Sequence, residues 1–400
     1  LPIQVGKEHN CASTCSEKLA PNAHDRELIQ LSSRSLLKRA KRIVIKIGTR
    51  VVTDPEAGLN TAFLDGLARQ IARLQERKCE VVVVTSGAIH LGRRALRWSK
   101  KHDTLALRQA AAAVGQPELM RSYSEALAAH GLIPAQVLLT QDDMNDRKRY
   151  LYTRNALIAL LSHHIVPVIN ENDSVSVEGV TFGENDRLAA LVATKIRADA
   201  LILLSDLCGM YTADPRRAPD ARLISEVGYG EDVQDYAEGV GGPESAGGMI
   251  KKVSASQIAV DCGIPVVMAC GLESDIVLRV LAGEEVGTFF VPGEPMPGRK
   301  VWIATATEPA GDVLVDDGAL KALASGKSLL PAGVTGVHGD FLAGDVVCVC
   351  GPDGAEVARG LVNYSAEEVA MIAGAHSREI ERRLGHVGHE EIIHRDNMVA

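Results

Sequence analysis

The chain has 400 residues, two to three times a typical domain, so a single small module is excluded and two domains with sizeable cores are expected. Hydrophobic residues make up 46% and charged residues 24%, and no apolar run nears the roughly 18 residues needed to cross a bilayer, so a globular rather than a membrane protein is expected. Lys+Arg 43 against Asp+Glu 51 leaves a net charge of −8; residues 305–400 hold 7 basic against 15 acidic residues, the whole of that excess and the wrong sign for coating nucleic-acid phosphates.

Residues 1–37 read as a flexible extension. They mix charges of both signs, lack the apolar core of a signal peptide and contain acids that a transit peptide avoids. From residue 42 to about 290, short β-rich runs alternate with helical patterns, the signature of βαβ units and a mainly parallel sheet sandwiched by helices. The runs are Ile43–Ile47, Glu80–Thr85, Ala135–Leu139, Ile165–Ile169, Ala200–Leu204 and Pro265–Ala269. Asn60-Thr61 can cap a helix whose Leu64, Leu67, Ile71 and Leu74 share one face, and further helices are expected over 104–129, 150–163, 187–197, 249–262 and 274–282. Pro292, Pro295, Pro297 and Pro309 suit a stiff connection, which places a first domain at 38–291 and a linker at 292–309. Residues 310–400 then show short strands, Gly turns and one helix near 318–325, as in a small mixed β-barrel.

The eight cysteines, at 11, 15, 79, 208, 262, 270, 348 and 350, form no CxxC pair, and several sit in apolar runs. They read as reduced, mostly buried thiols of a cytoplasmic protein, not a disulfide framework or zinc site, and no protein metal ligand is expected.

Ligands of a parallel sheet gather at the carboxyl ends of its strands. The first run ends in Lys46-Ile47-Gly48-Thr49, an ammonium beside an unencumbered backbone that suits a phosphate or is simply a surface lysine near a turn. The second enters a helix through Thr85-Ser86-Gly87-Ala88, which offers a hydroxyl and free N–H groups, or a plain N-cap. The fourth ends in Asn170-Glu171-Asn172-Asp173, and Gly183-Glu184-Asn185-Asp186 follows twelve residues later. One such acid-amide cluster fits turn chemistry; two at strand ends could together hold an amino group and a carboxylate. Ser205-Asp206 closes the fifth run, and Gly247-Gly248 with Lys252 one turn on reads as a glycine pair at a helix N-terminus, a second phosphate candidate. Neither GxxxxGK[ST] nor a strand-borne GxGxxG occurs.

In this order, Val44–Thr49, Val84–Ala88, Ile169–Asp173, Gly183–Asp186, Leu204–Asp206, Tyr211–Pro215 and Gly247–Met249 resemble the amino acid kinase family, and the twin acid-amide clusters resemble its glutamate-phosphorylating branch. The C-terminal region resembles a PUA domain. The resemblance implies ATP-dependent phosphorylation of the side-chain carboxylate of L-glutamate with Mg2+, the first step toward proline. It implies Lys46, Lys252 and Asp186 as catalytic residues, and Ser86, Asp173 and Asn185 as glutamate ligands. Nucleotide contacts would come from Lys46, Ser205, Asp206, Ala246, Gly247, Gly248, Met249, Ile250, Lys251 and Lys252. It also implies feedback inhibition by L-proline and a homodimer or homotetramer. Arg50 after Gly-Thr and Ala246 before Gly-Gly-Met depart from the family pattern. The alternatives are another carboxylate or phosphate kinase of the family, or RNA binding through the acidic C-terminal domain, which its charge disfavours.

Overall fold

In the computed structural model, residues 34–54, 58–98, 104–140, 142–175, 185–215, 218–233, 236, 243–305, 309–386 and 388–399 are described. Most of the expected N-terminal extension, and Gly183-Glu184 of the second acid-amide cluster, lie outside them. The last part of that extension differs from expectation. Residues Arg34–Arg39 form a 3-10 helix with Leu37 fully buried, and Arg34 donates to the carbonyls of Ser225 (2.7 Å) and Glu284 (2.9 Å).

Strands β1 (Arg42–Ile47), β2 (Glu80–Val84), β3 (Ile133–Leu139), β4 (Ile165–Glu171), β5 (Ala200–Ser205), β6 (Glu226–Val227), β7 (Val266–Cys270) and β8 (Thr288–Phe290) make one sheet, in the order β3-β4-β2-β1-β5-β7-β8-β6. All neighbours run parallel except β7 and β8. Between the strands lie α1 (Thr49–Val52), α2 (Thr61–Glu76), α3 (Ala88–Leu96), α4 (Leu105–Ala129), α5 (Asp142–Asn145), α6 (Arg147–Ser162), α7 (Asn185–Ile196), α8 (Pro243–Asp261) and α9 (Ile276–Leu281).

The two-residue period of the strands splits the interior into two layers. Ile43, Ile45 and Ile47 of β1 join Val81 and Val83 of β2 against Leu64, Leu67, Ile71 and Leu74 of α2, the face expected from the sequence, together with α4 and α9. Val44, Val82 and Val84 face the other way, onto α6, α7 and α8. Each such fully buried side chain contributes about 1.5–3 kcal/mol. α2 starts where Asn60 accepts a hydrogen bond from the Phe63 N–H at 3.0 Å.

The proline-bearing segment is not merely a connection. It carries α10 (Gly298–Thr305), whose first turn closes as Val301 N–H donates to the Pro297 carbonyl at 3.0 Å. Ile303 of α10, Tyr150 of α6, and Val346 and Leu361 of the C-terminal sheet form a small apolar cluster that joins the two sheets. That second sheet contains β9 (Gly311–Val315), β10 (Val334–Gly339), β11 (Val346–Cys350), β12 (Glu356–Leu361) and β13 (Met398–Val399), in the order β10-β9-β11-β12-β13. Only β9 and β11 pair in parallel, so the sheet is mixed. α11 (Asp317–Ala324) and α12 (Ala366–Ile372) cover its core, the latter held by a capping box between Ser365 and Glu368.

Candidate active site

The ends of β1, β2, β4 and β5 open into a cleft of about 520 Å³. β1 lies between β2 and β5, so the chain departs to both sides of it and leaves a crevice at its carboxyl end. A tight turn at Gly48 keeps the floor open. The Gly48 N–H donates to the Leu204 carbonyl at 2.9 Å, and a Cβ on Gly48 would stand 3.2 Å from that same oxygen.

Lys46 is delivered by β1 and is only 5% exposed. Its Nζ lies 2.6 Å from Asp186 Oδ1, in the first turn of α7. Lys252, from α8, places Nζ 3.5 Å from Asp186 Oδ2 and donates to the Gly248 carbonyl at 3.2 Å. Burial alone would raise the Asp186 pKa, but Lys46 and then Lys252 outweigh it and hold the carboxyl below the ordinary range. One carboxylate therefore fixes two ammonium groups and leaves one positive charge over, in a crevice where charge acts at low effective dielectric. Such a group attracts a multiply charged anion.

The other half of the cleft is built from β2, β4 and α3. Gly87, at φ 113°, takes the cap position of α3, where a side chain would be strained. Ser86 is thereby freed from capping. Its Oγ accepts from Asn185 Nδ2 at 3.1 Å, while Asn185 Oδ1 accepts from the Glu171 N–H at 3.2 Å. Asp173 lines the same half, and burial, reinforced by Glu171 and opposed by Arg108, pushes its pKa up to about 7. α3 is seated by a close crossing of α4: a Cβ on Gly92 would overlap the Ala111 carbonyl, and one on Gly115 the Ala88 carbonyl.

The structure thus brings Lys46, Ser86, Asp173, Asn185, Asp186, Ser205, Asp206, Gly248, Met249 and Lys252 to one cleft. Of the nucleotide candidates, Ile250 and Lys251 do not line it and are exposed, while the surroundings of Ala246 and Gly247 lie outside what the structure describes. The glycine pair is not at a helix N-terminus either. α8 begins at Pro243, whose fixed φ suits a first helical position, so Gly247-Gly248 lie a turn inside. Ser205 Oγ is engaged within its own turn, accepting from Leu207 N–H at 3.2 Å. Arg50 pairs with Asp206 at 3.0 Å on the rim. His90 and Arg93, which no motif in the sequence marks as site residues, also line the cleft from α3. Their i, i+3 spacing beyond Ser86 was the available signal. Asn170 and Glu171, the first half of the β4-end acid-amide cluster, line it too.

The sequence model of the amino acid kinase family matches residues 41–270, and that of the PUA domain residues 311–384. A glutamate 5-kinase of Trichlorobacter lovleyi is 46% identical over 92% of this chain and 98% of its own length. One from Azoarcus sp. is 47% identical over 92% of this chain and 99% of its own. The chain belongs to the amino acid kinase family. Within this family member the matched region spans β1 to β7 and thus every strand that ends at the cleft, whereas the PUA match begins at β9. No helix among the described residues is long and apolar enough to cross a membrane.

Proposed function

We propose that this amino acid kinase transfers the γ-phosphoryl group of ATP to the side-chain carboxylate of L-glutamate, giving L-glutamyl 5-phosphate and ADP, the first step toward proline. The observation that carries the chemistry is Asp186 holding Lys46 and Lys252 over one cleft. The curated relatives, glutamate 5-kinases by name across nearly the whole chain, support the acceptor.

The side-chain carboxylate of glutamate, with a pKa near 4.3, is already ionised at neutral pH, so one of its oxygens can attack the γ-phosphorus without a general base. A new P–O bond forms as the bond to the β-phosphate oxygen breaks, and the electron pair leaves with ADP. What the protein supplies is alignment and cancellation of charge. Lys46 neutralises the transferring phosphoryl group from the β1 side and Lys252 the phosphates from the α8 side, with Asp186 keeping both ammonium groups aimed. Asp173 pairs with the glutamate ammonium group, and Ser86 and Asn185 hold its polar ends. Gly248, Met249, Ser205 and Asp206 flank the nucleotide.

Both Asp186 oxygens face lysines and Asp206 faces Arg50, a donor set suited to phosphate, not to a cage for a cation. Mg2+ therefore fits as an ion carried on the ATP phosphates, where it screens their charge. Inhibition by L-proline, a homodimer or homotetramer, and a cytoplasmic location belong to the same proposal and rest on the family resemblance. The domain limits 38–291 and 310–400 are proposed with it. A phosphate-bearing acceptor is disfavoured by the Glu171–Asp173 pair, which suits an ammonium instead.

ADP release with glutamate, aspartate and acetylglutamate, in the presence of hydroxylamine, tests the reading. Glutamate-dependent turnover with hydroxamate formation, lost in Lys252→Ala, is expected. Turnover on another acid but not on glutamate would overturn the acceptor assignment.

A further inference from the structure

Three groups outside the phosphoryl-transfer chemistry meet at the far side of the β5 turn. Cys208 follows Ser205-Asp206-Leu207, Cys270 ends β7, and Glu273 sits in the turn beyond. The two Sγ atoms and a carboxylate oxygen of Glu273 all lie within 4.8 Å of one another. Sheet pairing enforces this nearness, since Ser205 stands opposite Cys270 in the β5–β7 ladder. Glu273 is braced from behind: its Oε2 takes the Arg279 guanidinium at 2.7 Å, and Oε1 faces Cys208 Sγ at 3.7 Å. Arg279 is fixed in turn by Glu284 at 2.8 Å.

We propose that Cys208, Cys270 and Glu273 form a binding site for a soft divalent cation of the Zn2+ class, separate from the ATP-borne metal. Two sulfurs and one carboxylate oxygen match the donors that such an ion prefers over Mg2+ or Ca2+. With bonds of about 2.3 Å to sulfur and about 2.0–2.2 Å to oxygen, tetrahedral ligands stand about 3.4–3.8 Å apart, so small side-chain rotations close the present set around an ion. The fourth position would be left to water. Binding releases the two thiol protons and makes uptake favour higher pH. A simple disulfide pair would need only the two sulfurs and leaves the braced carboxylate without a purpose. An ion here would tie the β5 turn, whose Ser205, Asp206 and Leu207 line the cleft, to the end of β7.

The test uses the full chain with Cys11→Ser and Cys15→Ser, which removes the sequence-remote thiol pair. The reduced protein is titrated with Co2+ and then with Zn2+, and the near-ultraviolet charge-transfer absorption of cobalt bound to thiolate is read. One equivalent of Co2+, displaced by Zn2+, is expected. Cys208→Ser or Cys270→Ser should abolish the band. Glu273→Gln, which keeps both thiols and the local packing, should weaken Co2+ binding about tenfold or more, as should Arg279→Gln through the brace. No band from folded protein whose thiols react freely with a disulfide reagent would overturn the proposal. So would a band that survives in the Cys208→Ser/Cys270→Ser double variant. A Cys208–Cys270 disulfide that takes up no Co2+ once reduced would overturn it in favour of a redox pair.

Discussion

Asp173 links binding and stability with opposite signs. Its folded-state pKa of about 7 stands above the value of 3.8 for an ordinary aspartate, because of burial and then the neighbouring Glu171. Below pH 3.8 the group is protonated folded or unfolded and costs nothing. Between pH 3.8 and 7 the unfolded chain ionises while the folded one keeps its proton, so stability falls as pH rises. At about 1.36 kcal/mol per pH unit the accumulated loss reaches about 4 kcal/mol, a ceiling because the side chain is partly accessible. Asp173→Asn removes the titration. Urea unfolding of the variant and the parent at pH 5 and pH 8 should show the variant gaining up to about 3 kcal/mol relative to the parent over that interval. Activity should move the other way. With no carboxylate to meet the substrate ammonium, kcat/KM for glutamate should fall about 100-fold or more, as for breaking a buried ion pair. In the parent, kcat/KM should climb with pH through about 7. Equal stability differences at pH 5 and pH 8, together with unchanged glutamate kinetics in Asp173→Asn, would refute the reasoning.

Asp186→Ala leaves Lys46 buried without its counter-ion and should cost about 3–5 kcal/mol in urea unfolding, with turnover reduced at least about 1,000-fold. Gly92→Ala drives a methyl group into the Ala111 carbonyl and should destabilise by about 1–3 kcal/mol while raising KM for glutamate, since α3 carries the Ser86 edge of the cleft; a calorimetric scan and glutamate saturation curves check both. Lys195, 1% exposed near the Asp143 carbonyl and the Tyr150 ring, has its pKa lowered by burial to about 7. The penalty for charging it is therefore full below pH 7 and fades as pH rises toward 10.5, so Lys195→Met should raise the melting temperature more at pH 6.5 than at pH 9.

The central strands were legible because they read as near-continuous apolar runs, such as Val81–Val84, that only a doubly covered sheet accommodates. β6 and β8 were not, being two and three residues long. α10 was hidden by the surrounding prolines, which signal a break but also permit a first helical turn. In the site, the choice between Lys251 and Lys252 is a matter of helical phase: Met249 and Lys252, three apart, share the cleft face, and Lys251 does not. The true start of α8 was invisible for a related reason, since Gly-Gly has low helix propensity and reads as a break, not as a helix interior. Ser86 reads as an ordinary cap until Gly87 is seen to hold that position. Burial of the Lys46–Asp186 pair depends on residues 140 positions apart in the chain, and no local pattern reports it.

The position of β1 between β2 and β5 has a consequence for how such a molecule can change. On the proposed reading, the acceptor wall comes from residues 80–185 and the donor wall mainly from residues 200–252, two consecutive stretches of chain on opposite flanks of one strand. Lys46 and Asp186 sit on the seam. The acceptor wall can therefore be exchanged, by recombination or by design, without disturbing the nucleotide wall, provided the seam is inherited intact. Selectivity for the acid and affinity for the nucleotide are separable traits of one sheet.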